Sequence, residues 1–310
     1  MLCPLCQSSR HRKEEEIKVR DLTRLYNDFL GESVEEIFRR HETICRLRCR
    51  DCDLIFFHPA IVGGKRLYSL LQKKTGYYPA DKEEYGHALH FIATDDHVLE
   101  IGCGTGEFGR TVLNYVGLDM NEEALLKARE KGLKVVNQSL GEYALENPSK
   151  YDVVCAFQVL EHVENPKEFI KNCLACLREN GKVIFSVPSA DSFIVFSQNH
   201  LLNLPPHHQT WWTDMALRNI EAVLPLQLID ITHEKVQDQH LATFVYVLYR
   251  EILNRFIPSR RGSLIANPDI VDKVVHKACG YLSKRTIDLF SGTTFRPNGH
   301  TVTAVYRKKG

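Results

Sequence analysis

The 310-residue sequence lacks a long apolar segment, an excess of one charge and any internal repeat. No apolar run approaches the roughly 20 residues that a membrane-spanning helix needs, and the start MLCPLCQSSRHRKEEE has no apolar stretch typical of a secretory signal. Forty Lys and Arg oppose 39 Asp and Glu, so a general nucleic-acid clamp is disfavoured. We therefore expect a cytoplasmic protein without a membrane span. The oligomeric state is left open.

Cysteine is unevenly distributed, with five of ten residues among the first 52. Without an export signal, paired CxxC units indicate metal binding rather than disulfides. Cys3-Pro-Leu-Cys6 and Cys49-Arg-Asp-Cys52 together offer four thiolates, the donor set of a closed, structural Zn²⁺ site. The alternative is that these four residues are buried free thiols.

From His97 onward, strand-like and helix-like segments alternate, which predicts a doubly wound α/β fold with a largely parallel sheet. Helices are expected over EFGRTVLNY and NPKEFIKNCLACLREN, and a first helix is expected over IKVRDLTRLYNDFLG. Two helical stretches before the last strand, TVTAVYR, predict an insertion. The expected organisation is a zinc-binding module with a helical insertion (1–60), a helical lid or linker (61–95), a cofactor-binding core (96–238), a helical insertion (239–298) and the last core strand (299–310).

The segment VLEIGCGTGEFG places three glycines between a predicted strand and a predicted helix, so a ligand can approach the backbone closely. A dinucleotide fingerprint would have glycine where Glu107 stands, and its negative charge opposes a pyrophosphate at that position. An adenosine ligand without phosphates suits the loop better. Glu100 can face a cationic group, and Asp119, after the next strand, can accept hydrogen bonds from both ribose hydroxyls.

Four motifs occur in order over residues 96–235: VLEIGCGTGEFG, VGLDMN, YDVVCAFQVLEHVENP and LRENGKVIFSVP. This series resembles the class I S-adenosylmethionine-dependent methyltransferases, which implies a seven-stranded Rossmann-like sheet and S-adenosyl-L-methionine as the cofactor. The resemblance implies a cofactor site made of four groups of residues. The methionine moiety would lie at Glu100, Gly102, Gly104 and Gly106, and the ribose at Asp119. The adenine would lie beside Met120 and along Gln138, Ser139 and Leu140, and Phe157, Gln158 and Glu161 would close the site. Tyr77, Tyr78 and Tyr85 are candidates for a lid over the cofactor, or for packing aromatics.

A cysteine-bearing N-terminus before such a core, with LRCRDCDLIFFHP and YYPADKEEY, resembles a bacterial subgroup that includes sugar C- and O-methyltransferases. In related enzymes a PPHH-x-x-x-W stretch lies at the acceptor pocket, and residues 203–213 (NLPPHHQTWWT) are similar to it. His207 or His208 is therefore the expected general base, with a purely structural loop as the alternative.

The expected function is methyl transfer to a small-molecule acceptor, with a nucleotide-linked sugar or glycan precursor as the leading class. The alternative is an RNA or protein methyltransferase that grips its macromolecule with the zinc module. The near-neutral charge and the absence of a [DN]PP[YF] sequence after YDVVCAF disfavour that alternative.

Overall fold

The computed structural model describes residues 1–72, 82–256, 263–265, 270–290 and 296–310. Its strands are β1 (His11–Lys18), β2 (Thr43–Cys49), β3 (Ile55–His58), β4 (His97–Ile101), β5 (Asn114–Leu118), β6 (Val135–Val136), β7 (Tyr151–Phe157), β8 (Leu177–Pro188), β9 (Thr210–Trp211), β10 (Leu226–Lys235) and β11 (Asn298–Lys308). Its helices are α1 (Val19–Leu30), α2 (Glu35–Phe38), α3 (Lys65–Gln72), α4 (Glu83–Leu89), α5 (Glu122–Glu130), α6 (Leu140–Glu146), α7 (Pro166–Cys176), α8 (Asp214–Arg218), α9 (Ile220–Val223), α10 (Asp238–Asn254) and α11 (Ile270–Thr286).

The larger sheet has seven strands in the order β10-β11-β8-β7-β4-β5-β6. Strand β4 pairs in parallel with β5 and β7, β8 is parallel to β7, and β11 is antiparallel to β8. The chain therefore moves outward from β4 to β6 and then returns to the other side of β4. At such a reversal the carboxyl ends of the strands leave a crevice for a ligand. The predicted doubly wound α/β fold is confirmed.

The centre of this sheet is buried because its strands are almost wholly apolar. Val153, Val154, Cys155 and Ala156 of β7 have no exposed surface, which is typical of a parallel strand covered on both faces. The crossover helix α7 then begins in the expected way, because the Asn165 side chain accepts a hydrogen bond from a backbone N–H at the helix start and proline follows it.

The smaller sheet is antiparallel, in the order β1-β2-β3-β9. Three of its strands come from the first 58 residues, whereas β9 comes from the segment after β8. Ile55 pairs with Trp211 and Phe56 with Thr210. We call residues 203–213 the PPHH loop. Because its β9 strand belongs to the N-terminal sheet, the loop is held between the two sheets.

Helices α10 and α11 lie between β10 and β11 in the chain, as the sequence predicts. Leu241 and Val245 of α10 pack with Val236, and Phe193 and Phe290 contact this cluster. Among the residues that the structure describes, no helix is both long and apolar enough to cross a bilayer.

Three local expectations are wrong. Where a helix was expected over EFGRTVLNY, there is a 3-10 turn over Phe108–Thr111 and then β5. Tyr115 is the reason: its hydroxyl donates to Glu100 and its ring lies against Gly109, so the sheet holds this residue.

The helix expected over NPKEFIKNCLACLREN ends early, at Cys176. The next residue, Leu177, pairs with Tyr151 of β7, and Asn180 has φ of 59°, which is incompatible with a continuing helix. The helix expected from Ile17 begins instead at Val19, after the charged strand β1. Glu14 explains this strand, because it forms ion pairs with Arg46 and Arg48 on the neighbouring β2.

Candidate active site

The loop after β4 turns at three positions with positive φ angles, which glycine adopts without strain. Gly102, Gly104 and Gly106 have φ of 72°, 51° and 76°. A Cβ at Gly102 would lie 2.5 Å from a methyl of Val159, and one at Gly106 would lie 2.3 Å from a methyl of Leu133. The loop therefore packs closely against Val159 and Leu133 on one side, while its backbone faces the crevice on the other.

Asp119, directly after β5, is bound to this loop. One carboxylate oxygen accepts from the Gly104 N–H at 2.8 Å, and the other accepts from the Asn121 N–H at 2.8 Å. Burial raises the pKa of this carboxyl above its ordinary value. The neighbouring Met120 is 59% exposed, so its side chain is accessible beside the carboxylate.

Glu100 lies deeper than the sequence suggests. The residue is 2% exposed, and its carboxylate accepts a hydrogen bond from the Tyr115 hydroxyl at 2.5 Å. Burial raises the pKa of Glu100 to about 8. The structure therefore places this residue beneath the glycine loop, where it supports Tyr115.

Gln138, Ser139 and Leu140 lie at the start of α6, after β6. The Ser139 side chain caps this helix in a reciprocal arrangement with Glu142. The adjacent Asn137 side chain donates to the Asp119 carbonyl at 3.3 Å. This segment therefore lies next to Asp119, and, like Asp119 and Met120, it does not line the cavity at the carboxyl ends of β4 and β7.

That cavity has a volume of about 450 Å³. Gly102 and Gly104 form part of one wall. A second wall contains Phe157, at the end of β7, and Gln158 and Glu161, which come directly after it. His207 and His208 of the PPHH loop also line it. The structure thus brings three separately predicted groups of residues around one space.

The PPHH loop is fixed by buried hydrogen bonds. The Gln209 side chain donates to the Ile61 carbonyl at 2.8 Å and accepts from the Ile61 N–H at 3.2 Å. The indole of Trp211 donates to the Asn203 carbonyl at 2.7 Å, and the N–H of Gln209 donates to the Glu161 carbonyl at 2.8 Å. The loop is therefore joined both to the N-terminal module and to the end of β7.

His207 and His208 are buried and stack on each other, with ring centroids 4.9 Å apart. His162 packs edge-on against both rings, at 4.5 and 4.7 Å. Burial lowers the pKa of His207 and His208 well below the ordinary imidazole value, so both rings are neutral. A neutral imidazole can accept a proton or bind a metal ion.

Other polar residues on the cavity wall were not predicted. They include Lys82, Glu84, His200, Glu234, His240 and His300. Lys82 and Glu84 belong to the YYPADKEEY segment. His200, Glu234, His240 and His300 come from later segments that no local motif marks. Tyr77 and Tyr78 lie outside the described residues. Tyr85, closer to the core, packs on Phe108 and Phe157 with centroids 5.3 and 5.0 Å away.

The N-terminal cysteines converge although 42 residues separate the two CxxC units. The Sγ atoms of Cys3 and Cys52 lie 3.5 Å apart, as do those of Cys6 and Cys49, and all four lie within 4.8 Å of one another. A tetrahedral Zn²⁺ with Zn–S bonds of about 2.3 Å holds its sulfurs about 3.8 Å apart. The hydrogen bond between the Cys3 and Cys52 thiols lowers the pKa of Cys3 and raises the pKa of Cys52, so one thiolate of this pair is favoured. The donor set fits zinc.

A doubly wound sheet with a glycine loop after its first core strand, and an acidic residue after its second, defines a nucleoside- or nucleotide-binding α/β protein. A family model described as a methyltransferase domain matches residues 77–249, more than half of the chain. The chain belongs to the class I S-adenosylmethionine-dependent methyltransferase family.

The curated relatives that are similar to this chain include proteins from two species with the same name. The ubiquinone biosynthesis O-methyltransferase of Aliivibrio fischeri (strain MJ11) is 35% identical over 123 residues, which cover 35% of this chain and 53% of the relative. The protein of the same name from Vibrio vulnificus (strain YJ016) is 29% identical over 157 residues, covering 46% and 66%. The chain thus spans about half the length of the first of these relatives.

Among solved structures, a SAM-dependent methyltransferase from Archaeoglobus fulgidus aligns with 78% of this chain and all of its own. The identity is 17% and the TM-score is 0.47.

Proposed function

We propose that this protein transfers a methyl group from S-adenosyl-L-methionine to a small-molecule acceptor. The observation that carries the proposal is the shared cavity, with the glycine loop on one side and the buried histidines of the PPHH loop on another. Its volume of about 450 Å³ is within the usual range for small-ligand sites. A methyl sulfonium carries its own leaving group, so the protein mainly has to align the acceptor and exclude water.

The cofactor roles follow the predicted positions. Gly102, Gly104 and Gly106 leave backbone open to the methionine moiety, and Asp119 holds the ribose. Both oxygens of Asp119 already accept N–H bonds, which leaves further lone pairs for a diol. Met120 offers an exposed apolar surface to the adenine.

The remaining cofactor assignments are also proposals. Gln138, Ser139 and Leu140 would line the adenine edge, and Phe157, Gln158 and Glu161 would close the site. Glu100 would act from beneath the loop, through its hydrogen bond with the Tyr115 hydroxyl.

His207 or His208 is the proposed general base. Both are buried against the cavity and neutral, so each ring can accept a proton, although the lowered pKa makes it a weaker base than a free imidazole. The cysteine cluster is proposed to hold a structural Zn²⁺, with Cys3, Cys6, Cys49 and Cys52 as its ligands.

The acceptor is proposed to bear a hydroxyl group. The name of the curated relatives, O-methyltransferase, supports oxygen as the methylated atom. The resemblance of the cysteine-bearing N-terminus to sugar methyltransferases supports a nucleotide-linked sugar as the first class to examine.

The test is the formation of S-adenosylhomocysteine with a panel of acceptors. The panel contains nucleotide-linked sugars, hydroxylated aromatic compounds, total RNA and an unfolded protein substrate. We expect acceptor-dependent product with a small molecule, and mass spectrometry should show a gain of one methyl group. Methylation of RNA or protein alone would contradict the proposal.

A further inference from the structure

Three histidines of the cavity form a compact group that methyl transfer as such does not require. One ring nitrogen each of His162, His207 and His208 lies within 4.8 Å of the other two. They come from two segments, the turn after β7 and the PPHH loop. Three imidazoles brought together in this way form a donor set that suits Zn²⁺ and similar divalent ions.

Hydrogen bonds on the outer side of two rings orient their inner nitrogens. His162 Nδ1 lies 2.7 Å from the His207 carbonyl, and His208 Nδ1 lies 3.0 Å from the Asn203 side-chain oxygen. Because these oxygens only accept, Nδ1 carries the proton in both rings and Nε2 presents a lone pair. Metal-binding histidines are held by outer hydrogen bonds of this kind.

Glu161 supplies an independent observation. Its side chain is 1% exposed and lines the cavity, and among the described residues neither carboxylate oxygen has a hydrogen-bond partner. One oxygen lies 3.6 Å from His162 Nε2 and 3.9 Å from His208 Nε2, on the side of the lone pairs. A buried carboxylate without donors is costly, and a cation at this point removes the cost.

We propose that His162, His207 and His208 bind a divalent transition-metal ion of the Zn²⁺ type, with Glu161 beside it as a fourth ligand or counter-charge. Zn–N bonds of about 2.0–2.1 Å would draw the three nitrogens to about 3.4 Å apart, which needs only small side-chain rotations. Mg²⁺ and Ca²⁺ are disfavoured because they select oxygen ligands. This site is separate from the cysteine cluster and faces the cavity.

The purpose of the ion rests on the proposed function, whereas its binding does not. A coordination position directed into the cavity would receive the hydroxyl oxygen of the acceptor and orient it. A nitrogen that binds the ion cannot also take a proton. In the metal-loaded enzyme these rings would act as ligands, and the proposed role of His207 or His208 as base belongs to the metal-free enzyme.

The experiment titrates Co²⁺ into full-length protein purified without chelators, followed by absorption spectroscopy and by calorimetry. Co²⁺ bound by nitrogen and oxygen gives ligand-field bands without the intense charge-transfer band of a thiolate site. The two metal sites are thereby distinguished. We expect one ion with nitrogen and oxygen ligands per chain, and competition by Zn²⁺.

Variants locate the ion. His162→Ala and Glu161→Gln should each lower the affinity for Co²⁺ by at least about 10-fold. Changes to the residues around a bound metal typically have effects of this size. His240→Ala is the matched control within the same cavity, because it belongs to the other histidine group, with Glu234 and His300. The exposed His90→Ala is the control outside the cavity. Both controls should bind as the wild type does.

A wild-type spectrum without a nitrogen and oxygen site would overturn the proposal. Loss of the ion in His240→Ala with retention in His162→Ala would also overturn it, as would unchanged affinity in Glu161→Gln. Glu161→Gln keeps the side-chain shape and is therefore informative even where His162→Ala fails to fold. Methyl transfer without metal binding would reject this site alone, and metal binding without methyl transfer to any acceptor would reject the proposed function alone.

Discussion

Asp119 both stabilises the glycine loop and, in the proposed function, holds the ribose. Replacing it by alanine removes the acceptor of the Gly104 N–H as well as that of the ligand hydroxyls. We expect Asp119→Ala to weaken S-adenosyl-L-methionine binding by about 2–4 kcal/mol, or about 30- to 700-fold, since bonds to a charged acceptor are lost. Calorimetry measures the change, with Glu123→Ala on the exposed face of α5 as control. Unchanged affinity would reject the ribose assignment.

His207 and His208 can be separated from cofactor binding by kinetics. If one of them is the base, its replacement by alanine should lower turnover by roughly 10²–10⁴-fold and leave cofactor affinity intact, because only proton removal is lost. The exposed His90→Ala serves as control. Near-normal turnover in both single variants would instead favour a purely structural loop or an acceptor, such as a neutral amine, that needs no base.

Gln209 was not singled out in the sequence, yet it makes three buried hydrogen bonds, to both backbone groups of Ile61 and to the Pro206 carbonyl. Gln209→Leu removes the partner of both Ile61 groups, whereas the Pro206 carbonyl keeps its hydrogen bond from the Gly63 N–H. The free energy of unfolding should therefore fall by about 3 kcal/mol. Gln227→Leu, at an exposed position of β10, is the matched control. Denaturant unfolding that gives equal values for the two variants would contradict this role.

At the scale of elements, local signals were sufficient for the buried core strands β4 and β7 and for the insertion. The VLEIG and YDVVCAF runs predict buried parallel strands because they are apolar over their whole length. The helix expected at EFGRTVLNY failed because Tyr115 is held in the sheet by Glu100, a contact across 15 residues. Tertiary contacts of this kind override local propensity.

The cysteine cluster brings together two turns of the N-terminal module, Cys3–Cys6 and Cys49–Cys52. Cys49→Ser removes one of four proposed ligands and should lower the zinc content from about one ion per chain to near zero, with loss of the folding free energy that the metal supplies. Cys45→Ser is the matched control, because this half-buried thiol lies on the same strand but outside the cluster. Metal analysis and thermal unfolding measure both effects. Wild-type protein without zinc would reject the site.

At the scale of the molecule, the candidate site depends on strand pairings between distant segments, and no sequence motif predicts these pairings. The glycine loop, Asp119 and the PPHH loop could be predicted because each follows a recognisable strand or motif. His200, Glu234, His240 and His300 could not, because β8, β10 and β11 bring them to the cavity from distant segments. The pairing of β9 with β3 was also unpredictable, because a two-residue strand has too little pattern to be recognised.

That pairing connects the cysteine cluster to the candidate acceptor site. Asp53 follows the Cys49–Cys52 turn and accepts a hydrogen bond from the Thr213 hydroxyl at 2.8 Å, while the Phe57 N–H donates to the Gln209 carbonyl at 3.1 Å. Loss of the proposed zinc ion should therefore displace the PPHH loop. The glycine loop is held separately, through hydrogen bonds from Gly102 and Cys103 to the Leu118 carbonyl in the larger sheet.

In Cys49→Ser we accordingly expect turnover to fall by up to about 10²-fold, the cost of misplacing reacting groups by about 1 Å. Cofactor affinity should stay within about threefold of the wild-type value, because the cofactor side of the cavity rests on β4, β5 and β7. Steady-state kinetics and calorimetry on the same preparation measure the two quantities, with Cys45→Ser again as the reference. A parallel loss of both would mean that the two sheets unfold as one unit, whereas full turnover would mean that β9 holds the PPHH loop without help from the metal.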